Sequence, residues 1–324
     1  MRTVIALSVL VLAGCTNAAQ SPVVPPSSGG PAVGSLARQQ PAAYSNGIYV
    51  AEFNNNAVFA YANQNRRNAP PVCGENGIQI VADVGTDPAG DLMVPSQIGE
   101  LIYVFGGPKL CGAEIAKLHD SYGLPVDVAS RNAASGTIAV ANEEDNGPIS
   151  NPPPGSITLC TVSAGCTANL TNKAMYRVAG VVMDNSGNCW ASAFDVKKKA
   201  ALVYFAGCTG AGRLATGFKN TSYGGLDIDS KGNILSIDYQ SRDLFVYSGC
   251  NPDCIRVAGP LALHDAAIYG KVNSTGTLFA TADYNAGSVD VYRYDGKSIK
   301  FEYSFNQDLD ASSVAEGIAF SPSD

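Results

Sequence analysis

Histidine is nearly absent from this chain: 324 residues contain only His119 and His264. That excludes a histidine-rich metal centre and leaves few imidazoles for acid–base chemistry. Charge is also scarce. Asp, Glu, Lys and Arg make up 15% of the residues, with a net charge of −7. A sparsely charged, acidic protein is a poor partner for nucleic acid or for an anionic lipid surface. No two cysteines have CxxC spacing, which argues against a structural zinc site. No apolar run is long enough to cross about 30 Å of hydrocarbon.

The longest apolar run does have a use at the N-terminus. Arg2 precedes Thr3 to Leu12, and Leu12-Ala13-Gly14-Cys15 follows. A positive residue, a short apolar core and small residues before a cysteine make a secretory signal. The tetrapeptide resembles the lipobox of bacterial lipoproteins. The resemblance implies cleavage after residue 14, lipidation of Cys15 and anchoring to a membrane through the lipid. Thr16, where an Asp would signal retention, resembles lipoproteins sent on to an outer membrane, so the expected location is the cell envelope or cell surface. Residues 15–45 are rich in Pro, Ser, Gly, Ala and Gln. They carry too little apolar surface to fold and read as a flexible tether. The folded domain is expected over 46–324.

Glycine is plentiful, with 34 residues, as many tight turns require. With Cys15 lipidated, eight of the nine cysteines remain. An even set in an exported chain reads as disulfides, although eight cysteines allow 105 pairings. Proximity favours Cys160–Cys166 and Cys250–Cys254, which leaves Cys73–Cys111 and Cys189–Cys208, each within one structural repeat. Loop-closure entropy assigns roughly 2 kcal/mol to the shortest loop and about 4 to the longest.

The clearest signal is self-similarity. Gly225–Gly249 reads GLDIDSKGNILSIDYQSRDLFVYSG: a short apolar strand, a turn, an alternating strand, a polar turn and a third strand. In the Asp-Ser-Lys-Gly-Asn turn, glycine permits positive φ and the Asp side chain bonds its own backbone. The alternation is expected to place one strand face in a core. Related copies begin at Gly180, Asp265 and Val126, and a looser one at Gly77; a fourth apolar stretch separates them. The C-terminal Gly317–Asp324 supplies a first strand, and Asn46–Ala62 supplies the strands that follow it. Joined, they complete a sixth copy. Six copies at about 46 residues each predict an all-β, six-bladed β-propeller with four-stranded blades, closed by pairing of the N- and C-terminal strands. The repeats resemble NHL and SMP-30/gluconolactonase-like propellers, and most of all those of bacterial surface lipoproteins. The resemblance implies fold more strongly than activity.

Residues just before each first strand are expected at one channel mouth. Counting places Glu316, Asn76, Pro125, Ala179, Gly224 and Asp265 there. Asp265, Glu316 and Asn76 offer oxygen ligands, and Ca²⁺ is the ion such a set would hold. SMP-30 lactonases resemble this in their Glu-Gly start and late-blade Asp, but Ala179 and Gly224 depart from that pattern. His264 stands beside Asp265, a pairing that can serve a general base. Glu143-Glu144-Asp145 opens an insertion running to Gly155, read as a solvated loop. Lys197-Lys198-Lys199 reads as edge protection. Asn54, Asp195, Tyr239 and Tyr284 end second strands and line a face suited to sugar or peptide. The leading reading is a surface-tethered binding or scaffolding module for protein or glycan. The alternative is a metal-dependent hydrolase or lyase of the SMP-30 type; a purely structural envelope protein is a third.

Overall fold

A computed structural model of the chain describes residues 47–107, 112–134, 136–145, 154–309 and 314–321. The expected signal, Cys15 and the tether lie outside these residues, as does Cys111. No helix among the described residues is long and apolar enough to cross a membrane.

The chain first lays down β1 (Ile48–Glu52), β2 (Ala57–Tyr61) and β3 (Cys73–Asn76). Blade 2 follows as β4 (Gly85–Thr86), β5 (Leu92–Ser96), β6 (Leu101–Phe105) and β7 (Glu114–His119). Blade 3 is β8 (Gly123–Ser130), β9 (Ile138–Asp145), β10 (Ser156–Thr161) and β11 (Gly165–Leu170). Blade 4 is β12 (Arg177–Met183), β13 (Cys189–Phe194), β14 (Ala200–Phe205) and β15 (Arg213–Leu214). Blade 5 is β16 (Leu226–Ile228), β17 (Ile234–Asp238), β18 (Asp243–Ser248) and β19 (Ile255–Ala262). Blade 6 is β20 (Gly270–Val272), β21 (Leu278–Asp283), β22 (Ser288–Tyr294) and β23 (Ile299–Phe305). The last strand, β24 (Ala315–Phe320), pairs antiparallel with β1 and becomes the inner strand of blade 1. The protein is therefore an all-β six-bladed propeller of four-stranded antiparallel sheets, closed by its two ends as expected.

The repeated turn forms as its composition demands. Asp184 Oδ1 accepts the N–H groups of Ser186 (2.8 Å) and Asn188 (2.9 Å), and Asp229 Oδ1 accepts those of Lys231 and Asn233 (2.9 Å each). The glycines of these turns, Gly187 and Gly232, have φ of +81° and +80°. The side-chain oxygens of Asp184 and Asp229 stand in for a backbone turn, so each hairpin is set by four or five local residues.

One expectation needs correction. Second and third strands bury both faces, not one. On β14, Val203 and Phe205 pack toward blade 3, while Leu202 and Tyr204 pack toward blade 5. On β1, Ile48 and Val50 face blade 6, while Tyr49 and Ala51 face blade 2. Each blade is sandwiched between two others, so period-2 alternation here selects which neighbour a side chain meets. Apolar clusters accordingly fill all six blade-to-blade interfaces, and burial at about 25 cal/mol per Å² is distributed around the ring.

The disulfides staple single blades. Cys160–Cys166 bridges opposed residues of β10 and β11, Cys189–Cys208 ties β13 to the turn after β14, and Cys250–Cys254 closes the β18–β19 turn. Cys73 on β3 is also disulfide-bonded. Such bridges belong to a protein that folds outside the reducing cytosol.

Inner strands approach one another closely where they carry glycine. A methyl group on Gly317 would lie 2.4 Å from Asp83 Cα, and one on Gly180 would lie 2.7 Å from the Leu226 nitrogen. These obstacles are backbone atoms and cannot swing aside. Gly317→Ala is expected to cost roughly 1–3 kcal/mol through overpacking. Gly187→Ala, with open space around it, should cost about 1 kcal/mol from its φ alone. Urea unfolding of the two variants, compared with wild type, measures the difference.

Candidate functional site

The six inner strands run in one direction around a central channel. Near its middle lies a buried ion cluster. Lys271, on β20 and 8% exposed, places Nζ 2.9 Å from Asp83 Oδ2 and 3.2 Å from Asp127 Oδ1, and donates to the Leu226 carbonyl at 3.1 Å. Each surrounding aspartate reaches on to another blade. Asp83 Oδ1 accepts the Ile318 N–H (3.0 Å), Asp127 Oδ2 accepts the Val181 N–H (2.8 Å), and Asp227 Oδ2 accepts the Val272 N–H. One ammonium and three carboxylates thus join all six blades.

Three carboxylates outnumber the single cation. Burial pushes Asp83 well above the ordinary carboxylate range, Asp127 beside it adds to the effect, and Lys271 opposes it. Burial also pushes Asp227 up to about 6. For Lys271, burial acts to lower the pKa, but Asp127, Asp83 and Asp227 outweigh it and hold the ammonium above its usual range. At the C-terminal ends of the inner strands opens a rear cavity of about 660 Å³, lined by inner-strand and turn residues, with Lys271 and Asp227 of the cluster among them. A second cavity of about 720 Å³ lies in the groove between blades 6 and 1. Its Arg293 is already paired with Glu302 at 2.9 Å.

The front mouth, where the inner strands begin, is different. The turn hydrogen bonds of Asp87, Asp184, Asp229, Asn273 and Ser321 are equivalent, and they fix the register of the inner strands. Five positions before these residues stand Ala82, Ala179, Gly224, Ile268 and Glu316. Glu316 therefore occupies the expected channel position, as do Ala179 and Gly224. Asn76 does not: it sits on β3, the outermost strand of blade 1, paired with Ala57 and exposed. Asp265 stands three positions ahead of Ile268, in the loop before β20. Pro125 is displaced by one from Val126, which is the bulge residue of β8. The three proposed oxygen ligands are not equivalent residues of one ring.

Glu316 owes its direction to a β-bulge. Register slips between Ala51–Gly317 and Glu52–Ala315, leaving Glu316 as the extra residue of β24. Slips at Ala179 and Val126 repeat the device in blades 4 and 3. Bulges re-aim a side chain and release it from the ladder. Glu316 is 7% exposed, and its Oε2 finds no hydrogen-bond partner among the described residues. Burial, with a contribution from Glu143, pushes its carboxyl up to about 8.

Around Glu316 the mouth is aromatic. Its charge raises the phenol pKa values of Tyr223, Tyr269 and Tyr284, although burial is the larger cause for each. Tyr223 packs on Phe194 with ring centroids 4.2 Å apart, and Tyr239 meets Tyr284 edge-on at 6.3 Å. Tyr223, Tyr239, Tyr284 and Phe194 are all half-buried. Tyr239 and Tyr284, expected on a common face, do meet there. Glu143 and Glu144, expected in a solvated loop, instead end strand β9 and face Arg177, with Glu143 at 3.6 Å. Residues 146–153 lie outside the described residues.

Asp265 has other partners. His264 Nδ1 lies 3.0 Å from Asp265 Oδ2 and 3.3 Å from Asp290 Oδ2, and its ring stacks on Phe301 at 4.8 Å. The ligand atoms of His264, Asp265 and Asp290 lie within 4.8 Å of one another, close enough to share a metal ion. Asp290 is buried but is engaged by Ser304 and by Tyr292 (3.4 Å), so a metal would compete with existing bonds.

No protein-family model matches the chain, and no curated protein matches it. Solved structures do. A chain of a nidogen/laminin complex superposes with a TM-score of 0.58 at 13% identity, covering 86% of this chain and 99% of that one. A protein of unknown function from Bacteroides caccae gives 0.59 at 9%, covering 85% and 98%. A functionally unknown protein from Desulfotomaculum acetoxidans DSM 771 gives 0.54 at 11%, covering 84% of each chain. At these identities the likeness is one of fold.

Two outcomes follow from the buried charges. Lys271→Met strands the aspartates without their cation and should cost about 3–5 kcal/mol in chemical unfolding; adding Asp83→Asn and Asp127→Asn should recover part of it. Glu316 titrates near 8 folded against about 4.5 unfolded. A raised carboxyl contributes stability that is complete below the unfolded value and lost as pH rises through the folded one. The melting temperature should therefore fall between pH 5 and pH 9 by the equivalent of roughly a few kcal/mol, and Glu316→Gln should remove its share of that fall, leaving the part that comes from Asp83 and Asp227.

Proposed function

We propose that the protein is a binding module held at the cell envelope by lipid on Cys15, and that it seats a protein or glycan partner at the front mouth. The observation that carries this reading is the half-buried aromatic rim of Phe194, Tyr223, Tyr239 and Tyr284 around the buried Glu316. Aromatic side chains with one polar end are the usual anchors of such contacts, because they combine large apolar area with hydrogen bonding at little entropic cost. Several blades contribute to the rim, so it is as rigid as the ring itself.

The hydrolase reading is less well supported. Its proposed metal set is dispersed, with Glu316 in the channel, Asp265 beside His264 and Asn76 on an outer strand. Ca²⁺ takes six to eight oxygens, and the residues equivalent to Glu316 are Ala82, Val126, Ala179, Gly224 and Ile268.

The test is capture of envelope components by the full-length lipidated protein. Tyr239→Ala with Tyr284→Ala is expected to weaken capture at least tenfold, about 1.4 kcal/mol, with an unchanged melting temperature. Cys15→Ser should move the protein out of the membrane fraction and leave its fold intact. Capture that is indifferent to the two tyrosines would count against the front mouth as the binding face.

A further inference from the structure

We infer that the front mouth recognises the ammonium group of a partner protein's lysine side chain, with Glu316 as its counter-ion and the tyrosine faces as its walls. This names the ligand chemistry of the site and rests on the reading of the mouth as a binding face.

Two observations point independently to a cation. The first is Glu316. It is 93% buried by its 7% exposure, a β-bulge turns it out of the ladder, and its Oε2 lacks any hydrogen-bond partner among the described residues. A buried carboxyl without a partner shifts its pKa upward and stays largely neutral near pH 7, as Glu316 does, and a positively charged donor is the partner that would stabilise its ionised form. Glu143, the acidic group that acts on it, faces Arg177, as does Glu144. The second observation is the set of rings. Tyr223, Tyr269 and Tyr284 lie close enough to Glu316 for its charge to raise their pKa values, burial being the larger cause for each, and Tyr239 meets Tyr284 edge-on at 6.3 Å. The electron-rich faces of aromatic rings attract ammonium ions, more strongly as water is excluded.

The choice among cations follows from counting ligands. A hard metal ion needs several oxygens at fixed distances, and the equivalent positions of the other five inner strands hold Ala82, Val126, Ala179, Gly224 and Ile268. An ammonium group needs one strong acceptor and tolerates aromatic neighbours. A guanidinium is a poorer fit, because its planar fork is matched by two carboxylate oxygens in an open arrangement, and Arg177 already takes that role at the side of the mouth.

The experiment is calorimetric titration of full-length protein in detergent with Nα-acetyl-lysine methylamide, its Nε-acetylated neutral counterpart, and Ca²⁺. Saturable binding of the amine is expected, at least tenfold weaker for the acetylated probe and for Glu316→Gln. That substitution keeps the shape and removes a buried charge, so its fold should persist; Tyr239→Leu provides a second variant that should also weaken binding. No heat with millimolar amine, equal binding of both probes, or undiminished binding to Glu316→Gln would overturn the inference. So would Ca²⁺ binding that Glu316→Gln abolishes while the amine is ignored. Partner capture that still depends on Tyr239 and Tyr284 would, in any of those cases, leave the binding face standing with a different ligand chemistry.

Discussion

A single buried ammonium holds the ring at its centre. Lys271 reaches across from blade 6 to Asp83 and Asp127 and to the carbonyl of Leu226. The aspartates then take backbone N–H groups from blades 1 and 4, while Asp227 takes one from blade 6. In a propeller, each blade meets only its two neighbours through apolar contacts, so hydrophobic packing alone fixes local spacing and leaves the ring free to breathe. A polar cluster at the hub adds a constraint that no pair of neighbours can satisfy. The cost is desolvation of an ammonium and its surrounding carboxyls, and the geometry repays it only while the partners are present.

The same hub explains why the inner strands tolerate so little side-chain volume. Gly85, Gly180 and Gly317 bring inner strands within contact distance of the next blade. Side chains of any size would push the strands apart and lengthen the ion contacts. The two mouths then differ because the strands are directional. At the rear, strand ends and turns together enclose a cavity, while at the front bulges release individual residues from the ladder.

The fold was largely legible in the sequence, since its determinants are local. Asp184 to Asn188 and Asp229 to Asn233 are self-contained turns, and their recurrence marks the blades. The split blade could be read as well, because β24 and β1 together complete the pattern. The site was much less legible. Lys271 carries no local signal; its partner Asp127 is 144 residues away. The bulge that directs Glu316 lies in a register difference between β24 and β1, strands at opposite ends of the chain. Asn76 and Asp265 were misplaced for related reasons. The inner strand of blade 2 is only Gly85–Thr86, so a count begun at Gly77 starts just past the outer strand of blade 1. In blade 6 the turn is one residue longer, with Asn273 bonding Leu278, and the count begins too early.

The closure of blade 1 also sets the order of events in the life of the chain. The Gly47 N–H donates to Ser321 Oγ across 274 residues, and β1 has no inner neighbour until β24 arrives. Five blades can form as soon as their own residues are available, but the ring cannot. Contacts of such long range are slow to form because the loop entropy is lost before they repay it. As it is synthesised, the chain therefore keeps an open sheet edge and an unassembled hub until β24 is available. Until then it is a row of unjoined blades, and it becomes a propeller only when β24 docks on β1.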